Sequence, residues 1–325
     1  MHRKEEYFDI VIIGAGLAGL LVARYLNYFG IKSALVDRKK IQNSSKDPRT
    51  TALNFRSRDF LDKIGIWQEL QSFAAAINDI LILNNNSDTK LHFPHGNVSD
   101  EPMGHIVNNY DFYAALIKDL DKLENVTIFS EQEYQDIKFF NESAYVQLPQ
   151  RLLRCKLLIA CDGKFSKVRE RLGVEIFSHD YQQNALVFNI EHQKSHQNIA
   201  IENFLPNGPF AVLPLANMQQ SSIVWTEKKN LVDSVLAMDE MEVSQLVTEK
   251  MNNIFGQAKI MSKIIHYPLS LTFSKKYHSK RCIFIGDAMH SIHPVAGQGL
   301  NLSIADILKI IPEIKKNYDL GLDIG

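Results

Sequence analysis

Three acidic residues in this sequence stand directly behind short apolar runs and beside glycines, a placement that suits ligand chemistry better than surface polarity. The clearest case lies near the C-terminus. The run Cys282–Ile285 ends in Gly286-Asp287, a turn with His290, His293, Pro294, Ala296, Gly297, Gln298 and Gly299 follows, and an amphipathic helical pattern then begins with Leu300-Asn301. That order puts a carboxylate at the end of a buried strand and unpaired backbone N–H groups at the start of a helix. A carboxylate accepts hydrogen bonds from sugar-like hydroxyls, and a helix N-terminus stabilises negative charge through its free donors and its dipole. Together they suit a cofactor with a polyol chain and a ring that turns anionic on reduction, which describes a flavin.

The second acidic residue belongs to a fuller pattern. FDIVII (8–13) reads as a buried strand and runs into Gly14-Ala15-Gly16-Leu17-Ala18-Gly19. A helix then extends to a glycine stop at Gly30, and KSALVD makes a second strand ending at Asp37. Strand, Gly-rich turn, helix, strand and terminal acid form the dinucleotide fingerprint in its full context. The glycines permit close approach to a pyrophosphate, and Asp37 can take a ribose hydroxyl pair. Arg38 could favour a phosphate or stack on adenine, and does not separate FAD from NADP. Arg49, in the stretch Pro48–Leu53, either reaches back to the same dinucleotide or stands solvated at a helix start; spacing leaves both open.

The third is Asp162. The apolar strand LRCKLLIA (153–160) ends in Cys161-Asp162-Gly163, with Ser166 and Arg169 beyond. An Asp-Gly turn is common by itself. It gains weight because the same arrangement recurs at Gly286-Asp287.

The elements that must position these groups fall into two kinds. The opening unit alternates strand and helix, whereas residues 183–226 alternate in short strand-like pieces (NALVFNIEH, NIAIENFLP, GPFAVLPLA, SSIVWT), which is antiparallel patterning. Between them, DFYAALIKDLDKL (111–123) has helical spacing, and strand-like runs fill 126–149. Helical stretches near 231–255 precede the apolar IIHYPLSLTF, and Pro312 interrupts the final helix pattern. The expected class is α/β (α+β overall): a Rossmann-like domain with a parallel sheet from 1–70, 96–175 and 265–325, and a second domain on an antiparallel sheet from 71–95 and 176–264.

Composition narrows the function classes. The chain has 325 residues, 45% hydrophobic and 22% charged, which suits a globular protein of two domains. Its net charge of −1 provides no field for nucleic acid. The N-terminus passes from charge straight into a strand, leaving no room for a signal peptide, and no run approaches the ~20 apolar residues of a membrane span. Cys155, Cys161 and Cys282 lie in or beside apolar runs without metal-ligand spacing and read as reduced core residues of a cytoplasmic protein. His290 and His293 could share a helix face, but no third ligand of suitable spacing accompanies them, so no metal is assigned. No residue is singled out as a catalytic base.

GAGLAG with Asp37, CDG with Arg169, and GDAMHSIHPVAGQGLN in this order resemble the flavin-dependent aromatic hydroxylases related to p-hydroxybenzoate hydroxylase. Within them the chain is most similar to the ubiquinone-biosynthesis hydroxylases, through DPRTTALNFRSRDFLDKIGIW (47–67), GHIVNNYDFYAAL (104–116), FLPNGPFAVLPL (204–215), SSIVWT (221–226) and HPVAGQGLNL (293–302). The resemblance covers essentially the whole chain. It implies an FAD-binding α/β domain and a substrate domain on an antiparallel sheet. It implies that Gly14, Gly16 and Gly19 hold the FAD pyrophosphate, with Asp37 on the adenosine ribose and Arg49 on the adenosine half. Asp162-Gly163 would belong to a motif linked to FAD and NADPH, Asp287 would bind the ribityl chain, and Pro294 through Asn301 would line the flavin ring.

The implied reaction is hydroxylation of a polyprenylated phenol in ubiquinone synthesis, with NADPH or NADH reducing the flavin and O2 supplying the oxygen. An insoluble prenyl tail implies work at the inner face of a membrane or in a ubiquinone-synthesis complex. Two other readings accompany it: hydroxylation of a small soluble aromatic acid, which would need a cation in a compact pocket, and a truncated, non-catalytic FAD-binding assembly partner. The family pattern also implies a helical region beyond residue 325, without which apolar surface on the FAD domain would lie exposed.

Overall fold

The structure, a computed structural model, describes residues 4–41, 47, 49–85, 90–97, 101–293 and 297–325. Two large sheets organise the chain. In the first, strands 278–279, 282–284, 151–160, 4–13, 33–36 and 126–129 lie side by side, with a hairpin of 136–139 and 144–147 paired to the first half of strand 151–160. The pairings of 4–13 with 33–36 and 151–160, of 33–36 with 126–129, and of 151–160 with 282–284 are all parallel.

Such a sheet must be covered on both faces. The first strand shows how. Ile10 and Ile12 point into one core, beneath helices Leu17–Tyr28, Phe55–Lys63, Asn109–Ile117 and Gln298–Asp319. Phe8, Val11 and Ile13 point into the other, closed by the 136–147 hairpin and Val168. The uninterrupted apolar run Ile10–Ile13 is the result.

The second sheet runs in the order 290–291, 265–274, 176–192, 220–228, 208–214, 199–205, 79–83 and 90–94, and is antiparallel except where 199–205 meets 79–83. One face carries Leu186, Phe188, Ile190, Ile201, Phe210, Val212, Ile223 and Trp225 against helices Lys229–Leu236 and Glu240–Lys250. The other face, termed inner below, turns toward a small sheet of strands 50–54, 104–108 and 75–77, and Ala200, Leu213 and Leu215 pack there on Ala52, Ala75, Ile77 and Ile106.

Several expectations are corrected. The boundaries at 70/71 and 264/265 do not follow sheet membership: 75–77 joins the small sheet with 104–108, and 265–274 pairs with 176–192 in the antiparallel sheet. Strand Ile176–His192 is longer than NALVFNIEH suggests, because its polar first half pairs with 269–274 across a bulge between Asp180 and Gln183. The helix expected over 111–123 ends at Ile117. The Arg24 guanidinium accounts for the break, since its Nε donates to the Leu116 carbonyl at 2.8 Å and Nη2 donates to that of Lys118, while Asp119 turns to φ +54°. Pro312 does not interrupt the last helix, which is continuous from Gln298 to Asp319. An interior proline costs about 3 kcal/mol. The buried stripe Ile304, Ile307, Ile311 and Ile314 offsets it, each side chain gaining about 1.5–3 kcal/mol on burial.

The three cysteines are free and buried, and burial pushes the Cys155 thiol up to about 12 and the other two well above their ordinary range. They are core residues.

Candidate functional site

Parallel register brings the motifs together. Ile13 stands beside Val36 and Ala160, and Ala160 beside Phe284. Gly14, Asp37, Asp162 and Asp287 therefore leave the sheet along one edge, the carboxyl edge where open α/β sheets bind ligands. Backbone bonds pin the exits: Gly14 N–H donates to the Val36 carbonyl at 2.8 Å, Cys161 N–H to Ile13 at 2.8 Å, and Ile285 N–H to Ala160 at 3.0 Å.

The Gly-rich turn divides into packing and opening. A methyl group on Gly14 would stand 2.4 Å from the Cys161 carbonyl oxygen, and one on Gly19 would stand 1.9 Å from that of Gly14. One on Gly16 would meet nothing within 4 Å. The first and third glycines are thus demanded by the protein itself. The second faces open space at the start of helix Leu17–Tyr28, which has no side-chain cap and no acid in its first turn. Its free N–H donors suit an anion.

Asp37 closes the turn from the other side. Its Oδ2 accepts from Ala15 N–H at 2.6 Å and its Oδ1 from Lys39 N–H at 2.7 Å. A cavity of about 460 Å³ opens here, walled by Gly14–Gly16, Asp37–Ile41, Tyr134, Asp162-Gly163 and Phe165. Two polar atoms in its wall are buried without a protein partner, Asp162 Oδ1 and the Tyr134 hydroxyl. Burial raises the Asp162 carboxyl above its usual range, against bonds from Ser166 and the Val168 N–H, and burial with the neighbouring Asp162 charge pushes Tyr134 up to about 12. Unpartnered buried oxygens are costly unless a ligand or water meets them. An open anion cradle, carboxylates for hydroxyls and orphaned oxygens fit an FAD adenosine diphosphate.

The family model described as FAD binding domain matches residues 7–318. The chain belongs to this FAD-binding family. Its cofactor is FAD. The flavoprotein is 32% identical over 329 residues to ubiquinone hydroxylase UbiM of Neisseria meningitidis, covering 98% of this chain and 70% of that protein. With ubiquinone hydroxylase UbiL of Rhodospirillum rubrum it shares 30% identity over 325 residues, 99% of this chain and 75% of the relative. Among solved structures it resembles Pseudomonas aeruginosa PqsL in complex with 2-aminobenzoylacetate, with TM-score 0.82 and 17% identity over 96% of this chain and 87% of that one. It also resembles p-nitrophenol 4-monooxygenase PnpA of Pseudomonas putida, with TM-score 0.78 and 19% identity over 97% and 80%.

At the other end of the flavoprotein's site, Asp287 keeps accessible surface but is crowded by protein, and this crowding raises its carboxyl, with Arg49, His290 and Lys164 acting against the rise. Arg49 does not line the 460 Å³ cavity. Its guanidinium grips Asp47, Nε donating to Oδ1 at 2.9 Å and Nη2 to Oδ2 at 2.7 Å, and sits 5.1 Å from the Tyr267 ring centroid. It therefore stands between Asp287 and the inner face of the antiparallel sheet.

Other expected residues serve packing. Leu17 and Leu300 lie partly buried against the core around Ile10, and Ala18 abuts Gly286. Asn301 is engaged at both ends of its amide: Nδ2 donates to the Ala52 carbonyl at 2.7 Å, and Oδ1 accepts from the Ser57 hydroxyl at 2.7 Å and Asn54 N–H at 3.1 Å. It staples the last helix to strand 50–54 and leaves no free donor for a ring. Gly297, at φ +60°, brings the helix start against that strand, where a methyl would stand 2.8 Å from Ala52 Cβ. The helix beginning at Gln298 has no cap and no acid in its first turn. Pro294 and Ala296 lie outside the described residues, as does Pro48.

Two connections escaped the sequence reading. Arg169, buried, donates from Nη1 to the Ala288 carbonyl at 2.6 Å and from Nη2 to Lys164 at 2.8 Å, bracing two strand-end turns together. His290 meets Asp306 of the last helix at 2.7 Å; burial lowers its pKa, but the Asp306 bond and charge prevail and leave it raised. Only an arginine seven residues after Asp162, and a histidine three after Asp287, could have signalled them. Among the described residues no group of metal-binding side chains occurs.

Proposed function

We propose that this FAD-dependent monooxygenase hydroxylates the ring of a polyprenylated phenol in ubiquinone biosynthesis, with NADPH or NADH and O2 as co-substrates. The observation that carries the reading is the inner face of the antiparallel sheet. A cross-strand row there reads Ile265, Val187, Val224, Ala211, Glu202, Ile82 and Leu91, almost wholly apolar. It continues the side on which Arg49 meets Tyr267 and on which Thr50 bonds Ser222 at 3.3 Å. An apolar face beside a flavin site suits an aromatic ring with a hydrocarbon tail. The similarity to two ubiquinone hydroxylases, which spans nearly all of this chain, supports the same substrate class.

When bound, FAD supplies electron transfer from the nicotinamide and activation of O2. The protein's residues do the rest. Gly16 and the start of helix Leu17–Tyr28 hold the diphosphate, Asp37 and Asp162 take hydroxyls of the adenosine end, and Asp287 takes the polyol. The uncapped helix start at Gln298 stabilises negative charge on the ring. The apolar row excludes water from the oxygen-transfer step. In this reading the parallel sheet forms the FAD-binding unit and the antiparallel sheet the substrate unit.

A prenyl tail requires work at a membrane surface, and no helix among the described residues is long and apolar enough to cross one. A small aromatic acid would call for an unpaired cation at this face; the row carries none, and Arg49, which meets Tyr267 there, is already paired with Asp47.

The test is direct. The purified protein should show a flavin spectrum and oxidise NADPH faster with a short-chain prenylphenol than with p-hydroxybenzoate, releasing a ring-hydroxylated product. A colourless chain that cannot be reconstituted with FAD, or turnover only with the soluble acid, would sink the proposal.

A further inference from the structure

The inner-face row contains one ionisable side chain, Glu202, between Ala211 and Ile82. Strand 199–205 alternates cleanly. Ile201 belongs to the core under the two helices, and Ala200 to the inner cluster with Leu213, Ala52, Ile77 and Ile106. Glu202, two residues from Ala200, therefore projects from the inner face about 7 Å away. Ala52 in turn contacts the start of the last helix at Gly297. From Glu202 the inner face thus leads by way of Ala200 and Ala52 to the helix start assigned above to the flavin ring.

No described residue accounts for a carboxylate there. Glu202 is half-buried and makes no hydrogen bond or ion pair with any described residue. Burial alone pushes it up to about 7, with no neighbouring charge contributing. The groups facing it along the row are aliphatic. Asp79 and His92 lie on the adjoining strands but alternate to the opposite face, the side of Leu81 and Leu83. A half-buried carboxylate without a described partner, set in an aliphatic row, is free to meet a group from outside the chain.

We propose that Glu202 is the proton acceptor for the substrate's phenol hydroxyl, an inference that rests on the phenol hydroxylase reading above. In this step the phenol O–H bond breaks, its electron pair stays on oxygen, and the proton moves to a Glu202 carboxylate oxygen. No electron leaves the ring. The phenolate is the more electron-rich partner for oxygen transfer, and the carboxyl returns the proton to the product oxygen. A carboxyl raised toward the phenol range is a better-matched base than an exposed one. Glu202 also fixes which end of the substrate enters, since the prenyl tail must lie along the aliphatic remainder of the row.

The test compares the FAD-loaded wild type with Glu202→Gln and Glu202→Asp, using a short-chain prenylphenol. Glu202→Gln should keep its flavin content and thermal midpoint, yet lose at least tenfold in hydroxylated product per NADPH consumed, the balance appearing as hydrogen peroxide. Its product yield should also lose the pH dependence that wild type shows between about 6 and 8, while Glu202→Asp should restore part of the yield. Calorimetric binding of the prenylphenol to wild type should vary with pH in the same window, a readout that does not depend on either variant folding. Wild-type coupling and an unchanged pH profile in Glu202→Gln, or pH-independent phenol binding in wild type, would overturn the proposal alone. A wild type that reduces its flavin but hydroxylates no prenylphenol would overturn the functional reading, and this assignment with it.

Discussion

The two sheets of this flavoprotein handle polar chemistry in opposite ways. The parallel sheet seals both faces with apolar cores and exposes its functional groups only at the carboxyl edge, where Gly14, Asp37, Asp162 and Asp287 emerge. The antiparallel sheet seals one face with helices, and the other, packed in part on the small sheet, is the surface proposed for the substrate. Edges gather backbone donors and carboxylates, which suits phosphate and hydroxyl groups. A face gathers side chains in rows, which suits a ring and a tail. A single chain can thereby hold a highly polar cofactor beside an apolar substrate.

Substitutions that hit one sheet and spare the other probe this division. The largest effect is expected at the packed part of the edge. Gly19→Val should cost about 4 kcal/mol or more, because even a methyl there lies 1.9 Å from a backbone oxygen. Gly16→Ala should change the unfolding free energy of the FAD-free protein by no more than about 1 kcal/mol, while FAD affinity falls. Denaturant unfolding and flavin titration separate the two, and equal behaviour would refute the distinction between packing and cradle.

Next comes the joint between edge and face. Asn301→Leu should cost about 2–3 kcal/mol, since it orphans the Ser57 hydroxyl, the Asn54 N–H and the Ala52 carbonyl. Thermal unfolding reads this, and an unchanged midpoint would show that the staple is dispensable.

On the face itself, Val224→Asp should leave flavin content intact and reduce prenylphenol turnover by about tenfold, or about 1.4 kcal/mol. Loss of FAD instead would mean that the face supports the edge rather than serving the substrate.

The smallest effect concerns the His290–Asp306 pair. His290 is raised in the folded protein above its ordinary 6.5, so its pairing energy is fully present below that pH and fades as pH rises through the folded-state value. His290→Gln should therefore destabilise by about 1 kcal/mol at pH 6 and by less at pH 8.5. A larger loss at the higher pH would reverse the sign and discard the pair as a charged one.

Much of this was legible in sequence where a local rule sufficed. FDIVII reads as a doubly covered strand because both of its faces meet apolar cores, and GAGLAG reads as a cradle because Gly19 packs on Gly14 within the motif, although the demand on Gly14 comes from distant Cys161. The alternation of 183–226 marked the antiparallel sheet for the same reason. What stayed hidden depends on partners far along the chain. Arg24 ends a helix more than ninety residues away, Arg169 bonds Ala288 across 119 positions, and Asn301 reaches back 249 to Ala52. The reach of Arg49 was open on spacing alone, and its stacking on Tyr267 follows only from the pairing of 265–274 with 176–192. Glu202 looked like one polar residue in an alternating strand until register placed aliphatic neighbours on both sides.

The parallel pairing of 4–13 with 151–160, and of 151–160 with 282–284, also governs how the protein comes into being. Lys4 sits opposite Arg151, and Leu158 opposite Cys282, so each strand waits on this side for a partner made much later. On a ribosome adding about 5–20 residues per second, the first strand would have 33–36 beside it early but would stay without its 151–160 neighbour for roughly 7–30 s. Contacts of such high sequence separation fold slowly and leave strand edges open to other chains. Nascent chains of this protein are therefore expected to lean on chaperones until strand 282–284 and the helix from Gln298 emerge, and FAD can be captured only once that segment has been made.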